Sequence, residues 1–184
     1  MLIRPLAAVL LAGAAIAATA NPLNGEVPIV LAPANPDKDW MPSAEQVRHV
    51  VDQSRRYFAA RDAGQFDAAF RQYAATQKAR LSFDGWRKGV QEFNDRAGGV
   101  QSRKLLRITW YKDPPQARPG VYAAVDFAST TGKLALHCGY LVWREQDDGH
   151  LVIVREEDNV LDKPSFAQVP VAKVAELKKA MHCS

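Results

Sequence analysis

Residues 106–127 read LRITWYKDPPQARPGVYAAVDF, and the period of that stretch decides the fold. Leu106, Ile108 and Trp110 alternate with Arg107, Thr109 and Tyr111 until Asp113-Pro114-Pro115 ends the run. After a turn, Val121, Ala123, Val125 and Phe127 alternate with Tyr122, Ala124 and Asp126. Alternation of this kind is the pattern of a strand buried on one face. Working outward, Thr131-Gly132 turns the chain into a third run, Leu134 to Trp143, and Asp147-Asp148-Gly149 turns it into a fourth, His150 to Glu157. Such short turns join antiparallel neighbours, because a parallel pair needs a crossover of about a dozen residues. The expectation is a four-stranded antiparallel meander.

Ahead of the strands the period is helical. Ser43 can cap a helix with Gln46 reaching back to it, and Val47, Val50, Val51, Ser54 and Phe58 then share one face. Asp62-Ala63-Gly64 ends that helix. Phe66, Ala69, Phe70 and Tyr73 begin a second, and Ser82 opens a third, with Phe83, Trp86, Val90 and Phe93 at helical spacing before Gly98-Gly99. Three helices are therefore expected before any strand. After the strands, Pro170 suits a first helical turn, and Val171, Val174, Leu177 and Met181 lie opposite Lys173, Glu176 and Lys179 as a closing helix. The fold class is α+β, with residues 43–184 as one domain. Residues 21–42, which hold prolines 22, 28, 33, 36 and 42, form an extended arm lying on or off it.

The first twenty residues carry a different signal. Arg4 precedes an apolar run from Pro5 to Ala17, and Ala18-Thr19-Ala20 fits a small-x-small cleavage site. The run is too short to span a membrane, and position 14 is Ala where a lipoprotein would need Cys. The expected mature chain starts near Asn21, periplasmic or secreted, without a membrane anchor. Its charge is mild, +4 over the whole chain, with both signs interspersed, as in Arg155-Glu156-Glu157; a nucleic-acid surface would instead gather Lys and Arg on one face. Cys138 and Cys183 are the only cysteines. In an oxidising compartment they are expected to pair, closing a loop of about 45 residues worth roughly 4 kcal/mol. The alternative is two unpaired, buried small side chains.

A set of landmarks carries a resemblance. Trp86, Arg96, Gly99-Val100-Gln101-Ser102-Arg103, Gly120-Val121-Tyr122 and Val125-Asp126-Phe127 resemble a family of exported bacterial proteins known as domain of unknown function 4019. Helices followed by a meander, with the Asp62-Ala63-Gly64-Gln65-Phe66 turn between the first two, look like the nuclear-transport-factor-like (cystatin-like) cone. That likeness implies three helices packed on a curved four-stranded antiparallel sheet with a pocket between the two layers. The family implies a fold and an exported address, and it supplies no catalytic residues. This chain departs from the family pattern at Leu136-His137-Cys138-Gly139-Tyr140 and at Arg155-Glu156-Glu157-Asp158.

The chemistry-bearing residues are sparse. Histidines 49, 137, 150 and 182 have no paired spacing, and no His-Glu-x-x-His, Cys-x-x-Cys, Gly-x-Ser-x-Gly, P-loop or dinucleotide fingerprint occurs, so no metal and no cofactor is expected. Met181-His182-Cys183 contains soft ligands but reads as a tail carrying the disulfide. His137 and Cys138 are consecutive in a strand, so their side chains diverge. Asp126, His137 and Tyr122 form a weak acid-base set, and Trp110 and Tyr140 are candidates to line a pocket. Leu134, Leu136, Cys138, Tyr140 and Val142 face one way along the third strand while Ala135, Leu141 and Trp143 face the other. Both faces should be covered, one by the helices and one by the closing helix or a second subunit. The expected function is non-catalytic binding of a small apolar ligand or an envelope protein. The alternatives are a cyclase- or isomerase-like enzyme and a structural or inhibitory interaction protein.

Overall fold

The computed structural model describes residues 27–184 apart from 33, 34, 36 and 38. The expected signal segment and its cleavage site, Ala18 and Ala20, lie outside the described residues.

The sheet has five strands in the order β1-β2-β3-β4-β5: β1 (Ile29–Leu31), β2 (Val100–Lys112), β3 (Val121–Thr131), β4 (Leu134–Glu145) and β5 (Leu151–Asp162). β2 to β5 are consecutive antiparallel neighbours. β1 is parallel to β2, with Ile29 opposite Ile108 and Leu31 opposite Trp110. The expected four-stranded antiparallel sheet is thereby corrected to a five-stranded mixed one. Proline explains why β1 is short and at an edge. Pro28 has no N–H to give, but its carbonyl accepts from Ile108 N at 2.9 Å, and the proline-free run to Ala32 returns a bond from Ala32 N to the Trp110 carbonyl at 2.9 Å. The whole helical layer lies between β1 and β2 in the chain and provides the crossover that parallel pairing requires.

The helical layer also differs from the expected three helices. α1 (Ala44–Asp62) opens on the capping box of Ser43 and Gln46. The second expected helix is broken into α2 (Phe66–Phe70) and α3 (Ala75–Lys78), because the chain at Tyr73 bridges to β5. There Ile153 N donates to the Gln72 carbonyl at 2.8 Å and Ala74 N to the Ile153 carbonyl at 2.9 Å. α4 (Phe83–Ala97) is capped by Ser82 and stopped by Gly98, whose φ of 73° is left-handed backbone. After the sheet come α5 (Lys163–Ala167) and α6 (Val171–Ala180), so helices stand both before and after it.

One face of the sheet packs on α1 to α4. Ile108, Trp110, Ala123, Val125, Phe127, Leu141, Trp143 and Ile153 meet Val50, Tyr57, Phe58 and Ala69 there, all buried. Each large side chain removed from water in this way contributes about 1.5–3 kcal/mol. Bulges between Leu105 and Arg107 and between Val142 and Trp143 bend the sheet around that core.

Candidate functional site

The helices leave the other face of the sheet, here called the outer face, and the register fixes what lies on it. Arg107, Asp126, Tyr140 and Glu157 stand in one row across β2 to β5. The next row along the strands is Thr109, Ala124 and Val142, joined by Val154 and Arg155 at the bulge of β5, and the next holds Tyr111 and Tyr122. These side chains line an open groove of about 690 Å3. Its wall beyond Tyr122 is the loop between β2 and β3. Asp113 N and Oδ1 both engage Gly120 there, and the Tyr122 hydroxyl donates to the Arg118 carbonyl at 2.6 Å, which brings Pro114 and Ala117 to the groove.

The opposite wall is the carboxyl-terminal tail. Cys138 and Cys183 are bonded, with Cα atoms 5.2 Å apart, and Asn159 Nδ2 donates to the Met181 carbonyl at 3.3 Å. Backbone bonds from His182 N to Lys179 O and from Cys183 N to Lys178 O close α6 in a Schellman turn, with His182 at the left-handed position, φ 57°. That site usually takes glycine. Here a histidine takes it, and its ring is delivered over the sheet: His182 Nδ1 donates to Asp126 Oδ1 at 3.2 Å, and the ring lies 4.9 Å from that of Tyr140.

Asp126 is buried, and both of its oxygens are engaged, since Arg107 Nη2 donates to Oδ2. Tyr140 donates to Glu157 at 2.8 Å and Arg155 Nη2 donates to the same oxygen at 2.8 Å, with the guanidinium over the Tyr140 ring. Desolvation, and then the bond to Glu157, push the Tyr140 phenol up to about 12. The bonds from Tyr140 and then Arg155 hold the Glu157 carboxyl below its ordinary value. Tyr140 is therefore a neutral donor and Glu157 a fixed anion at neutral pH.

The expected acid-base set is divided by the sheet. Asp126 and Tyr122 belong to the outer groove. His137 is on the helix-facing side, 1% exposed, its ring tilted against that of Phe93 and its Nε2 3.3 Å from Asp158 Oδ1. The histidine that meets Asp126 is His182, which sequence reasoning assigned to the tail. Of the two pocket candidates, Tyr140 lines the groove. Trp110 is buried on the inner face against Trp40.

The inner face is filled around its aromatic centre, while a cleft of about 610 Å3 opens at its edge between α1 and the start of β2, lined by Phe58, Asp62, Ser102 and Arg103. Between α1 and the sheet, around Val50, Trp110 and Trp143, only about 10 Å3 is left. Beside it Arg61 bridges Glu156 at 2.9 Å and Asp158 at 2.7 Å, and Tyr57 and Tyr73 both donate to Glu156 Oε2. Burial and the Glu156 charge hold both tyrosines in the phenol form. This network ties helices to β5.

The resemblance landmarks fall largely on such ties. Arg103 clamps Asp62 at the end of α1 with two bonds, 2.7 and 2.9 Å, and lies over the Phe58 ring, while Trp86 donates to the Tyr73 hydroxyl at 3.2 Å. Tyr122 and Asp126 are the landmarks that reach the groove. Residues 53–154 match the family described as "Protein of unknown function (DUF4019)". No curated protein and no solved structure matches the chain. The matched segment holds Asp126, Tyr140 and the apolar floor, and ends before Arg155, Glu157 and His182.

Proposed function

The chain belongs to the DUF4019 family, whose description carries no activity, and from the groove we propose that it is a binding domain of the bacterial envelope, taking a small apolar or aromatic molecule on the outer face of its sheet. The observation that carries this reading is the groove floor: Ala124, Val142 and Val154 lie side by side in a cleft of about 690 Å3. Clefts of several hundred Å3 with an apolar lining and a few placed polar groups are how small-molecule sites are built. The Cys138–Cys183 bond and the apolar run Pro5 to Ala17 ahead of Ala18-Thr19-Ala20 support export to the periplasm or the medium. Among the described residues no helix is long and apolar enough to cross a membrane. The bent antiparallel meander with helices on one face supports kinship with the nuclear-transport-factor-like cone. We place the ligand seat on the outer face because aromatic side chains fill the centre of the interior around Trp110 and Trp143, and Arg103, clamped to Asp62, lines the cleft at its edge.

The test uses N-phenyl-1-naphthylamine, a neutral apolar dye whose fluorescence rises out of water. It should brighten with the protein and stay dark with an Ala124→Trp variant of unchanged circular dichroism. Equal brightening with both proteins would reject the groove as the site.

A further inference from the structure

The groove is polarised along the strand direction, and that order points to the class of molecule it takes. Its first row is charged (Arg107, Asp126, Tyr140 and Glu157, with His182 above it), its middle is the apolar floor, and its far end is the aromatic pair Tyr111 and Tyr122. Four residues along a strand separate the first row from the last, about 13 Å.

With Arg155 reaching Glu157 from the neighbouring row, the charged end holds two guanidiniums, an imidazole and two carboxylates, so net charge alone does not select a ligand. The unused hydrogen-bonding capacity does. Both oxygens of Asp126 already accept, one from Arg107 and one from His182, and Asp126 is only 4% exposed. Glu157 accepts from Tyr140 and Arg155. The cations are far less engaged. Among the described residues Arg107 gives only Nη2 to Asp126, its Nε has no acceptor, and 39% of its side chain is exposed. Arg155 gives Nη2 to Glu157 and lies over the Tyr140 ring, with 63% of its side chain exposed. A guanidinium carries five N–H donors in a planar fork that fits a carboxylate. His182 turns Nδ1 to Asp126. What this end of the groove still offers is therefore mostly donors, mounted on cations, beside an apolar floor.

Resting on the groove reading above, we propose that the ligand is an amphipathic monoanion, a carboxylate with an apolar or aromatic tail. Its head lies between Arg107 and Arg155, beside the His182 ring, and its tail runs over Ala124 and Val142 toward Tyr122. Such a head meets charge-assisted donors, and no buried carboxylate has to lose a partner to receive it.

Displacement of N-phenyl-1-naphthylamine tests this with three eight-carbon probes that differ in their heads: octanoate, 1-octanol and octylammonium. Octanoate should displace the dye at a concentration at least tenfold below 1-octanol, with octylammonium weakest. In an Arg155→Gln variant, whose exposed side chain makes misfolding a small concern, the octanoate advantage should fall at least fivefold. NMR shifts at Val142 and His182 on adding octanoate locate the site independently. Equal displacement by octanoate and 1-octanol, with the dye still excluded by Ala124→Trp, overturns the anion proposal and leaves groove binding standing. Absence of both dye binding and octanoate shifts overturns both.

Discussion

His182 Nδ1 lies 3.2 Å from Asp126 Oδ1 across 56 residues of chain, and three features of the tail bring it there. The bond of Cys183 to Cys138 anchors the tail to β4, the Schellman turn aims the histidine, and Asn159 holds the preceding carbonyl. None of the residues of α6 is buried, so the helix itself supplies little of the attachment.

The left-handed backbone at His182 gives a test that separates aim from contact. His182→Ala and His182→Gly both remove the imidazole from Asp126, but only alanine keeps a Cβ in a conformation costing it about 1 kcal/mol. The glycine variant should be the more stable by about that amount in urea unfolding. Equal stability would mean that the tail does not hold this turn in solution.

Removing the bond should loosen the tail and spare the core. In a Cys138→Ser, Cys183→Ser double variant, the loop-closure argument gives a loss of about 2–4 kcal/mol. Amides of α6 should exchange at close to the free-chain rate while those of β3 and β4 stay protected. Protection of α6 equal to that of the oxidised protein would show that its few contacts suffice.

The strands were legible because their period is two and the helices because theirs is 3.6. What escaped depended on tertiary geometry. Ile29 to Leu31 is too short to show a period, and the prolines on either side read as an arm. It becomes a strand only because β2 offers an edge. The Asp126–His182 pair was half legible: strand phase put Cys138 and Tyr140 on one face and His137 on the other. The register that sets Asp126 opposite Tyr140, and hence on the Cys138 face, is invisible without the hairpin, and a slip of one residue exchanges the faces. With that register, the disulfide alone would have brought the neighbour of Cys183 toward Asp126.

Arg103, within the Gly-x-x-Ser-Arg landmark, makes two bonds to Asp62, another to Ser129 at 2.9 Å, and rests on two phenyl rings. Lysine keeps the charge but has neither the fork nor the plane. Arg103→Lys should therefore cost about 1–3 kcal/mol in urea unfolding. A cost near zero would show that charge alone joins α1 to β2.

Acid should weaken the inner network. Burial pushes the Asp158 carboxyl up, but the Arg61 guanidinium and the bond from His137 outweigh it and hold that carboxyl well below the usual carboxylate range. A carboxyl depressed in the folded state binds its proton more readily in the unfolded chain, whose Asp value is about 3.9. Its stabilising contribution is therefore complete above about pH 5 and is lost as pH falls through 3.9 toward the folded value. Asp158→Asn removes that dependence and also leaves Arg61 with Glu156 alone, at a cost of about 3 kcal/mol at pH 7. Unfolding free energies measured from pH 7 to pH 2 should converge for the two proteins as the pH drops. Parallel curves would mean that Asp158 titrates alike in the folded and unfolded chains, and that Arg61 is held by Glu156 alone.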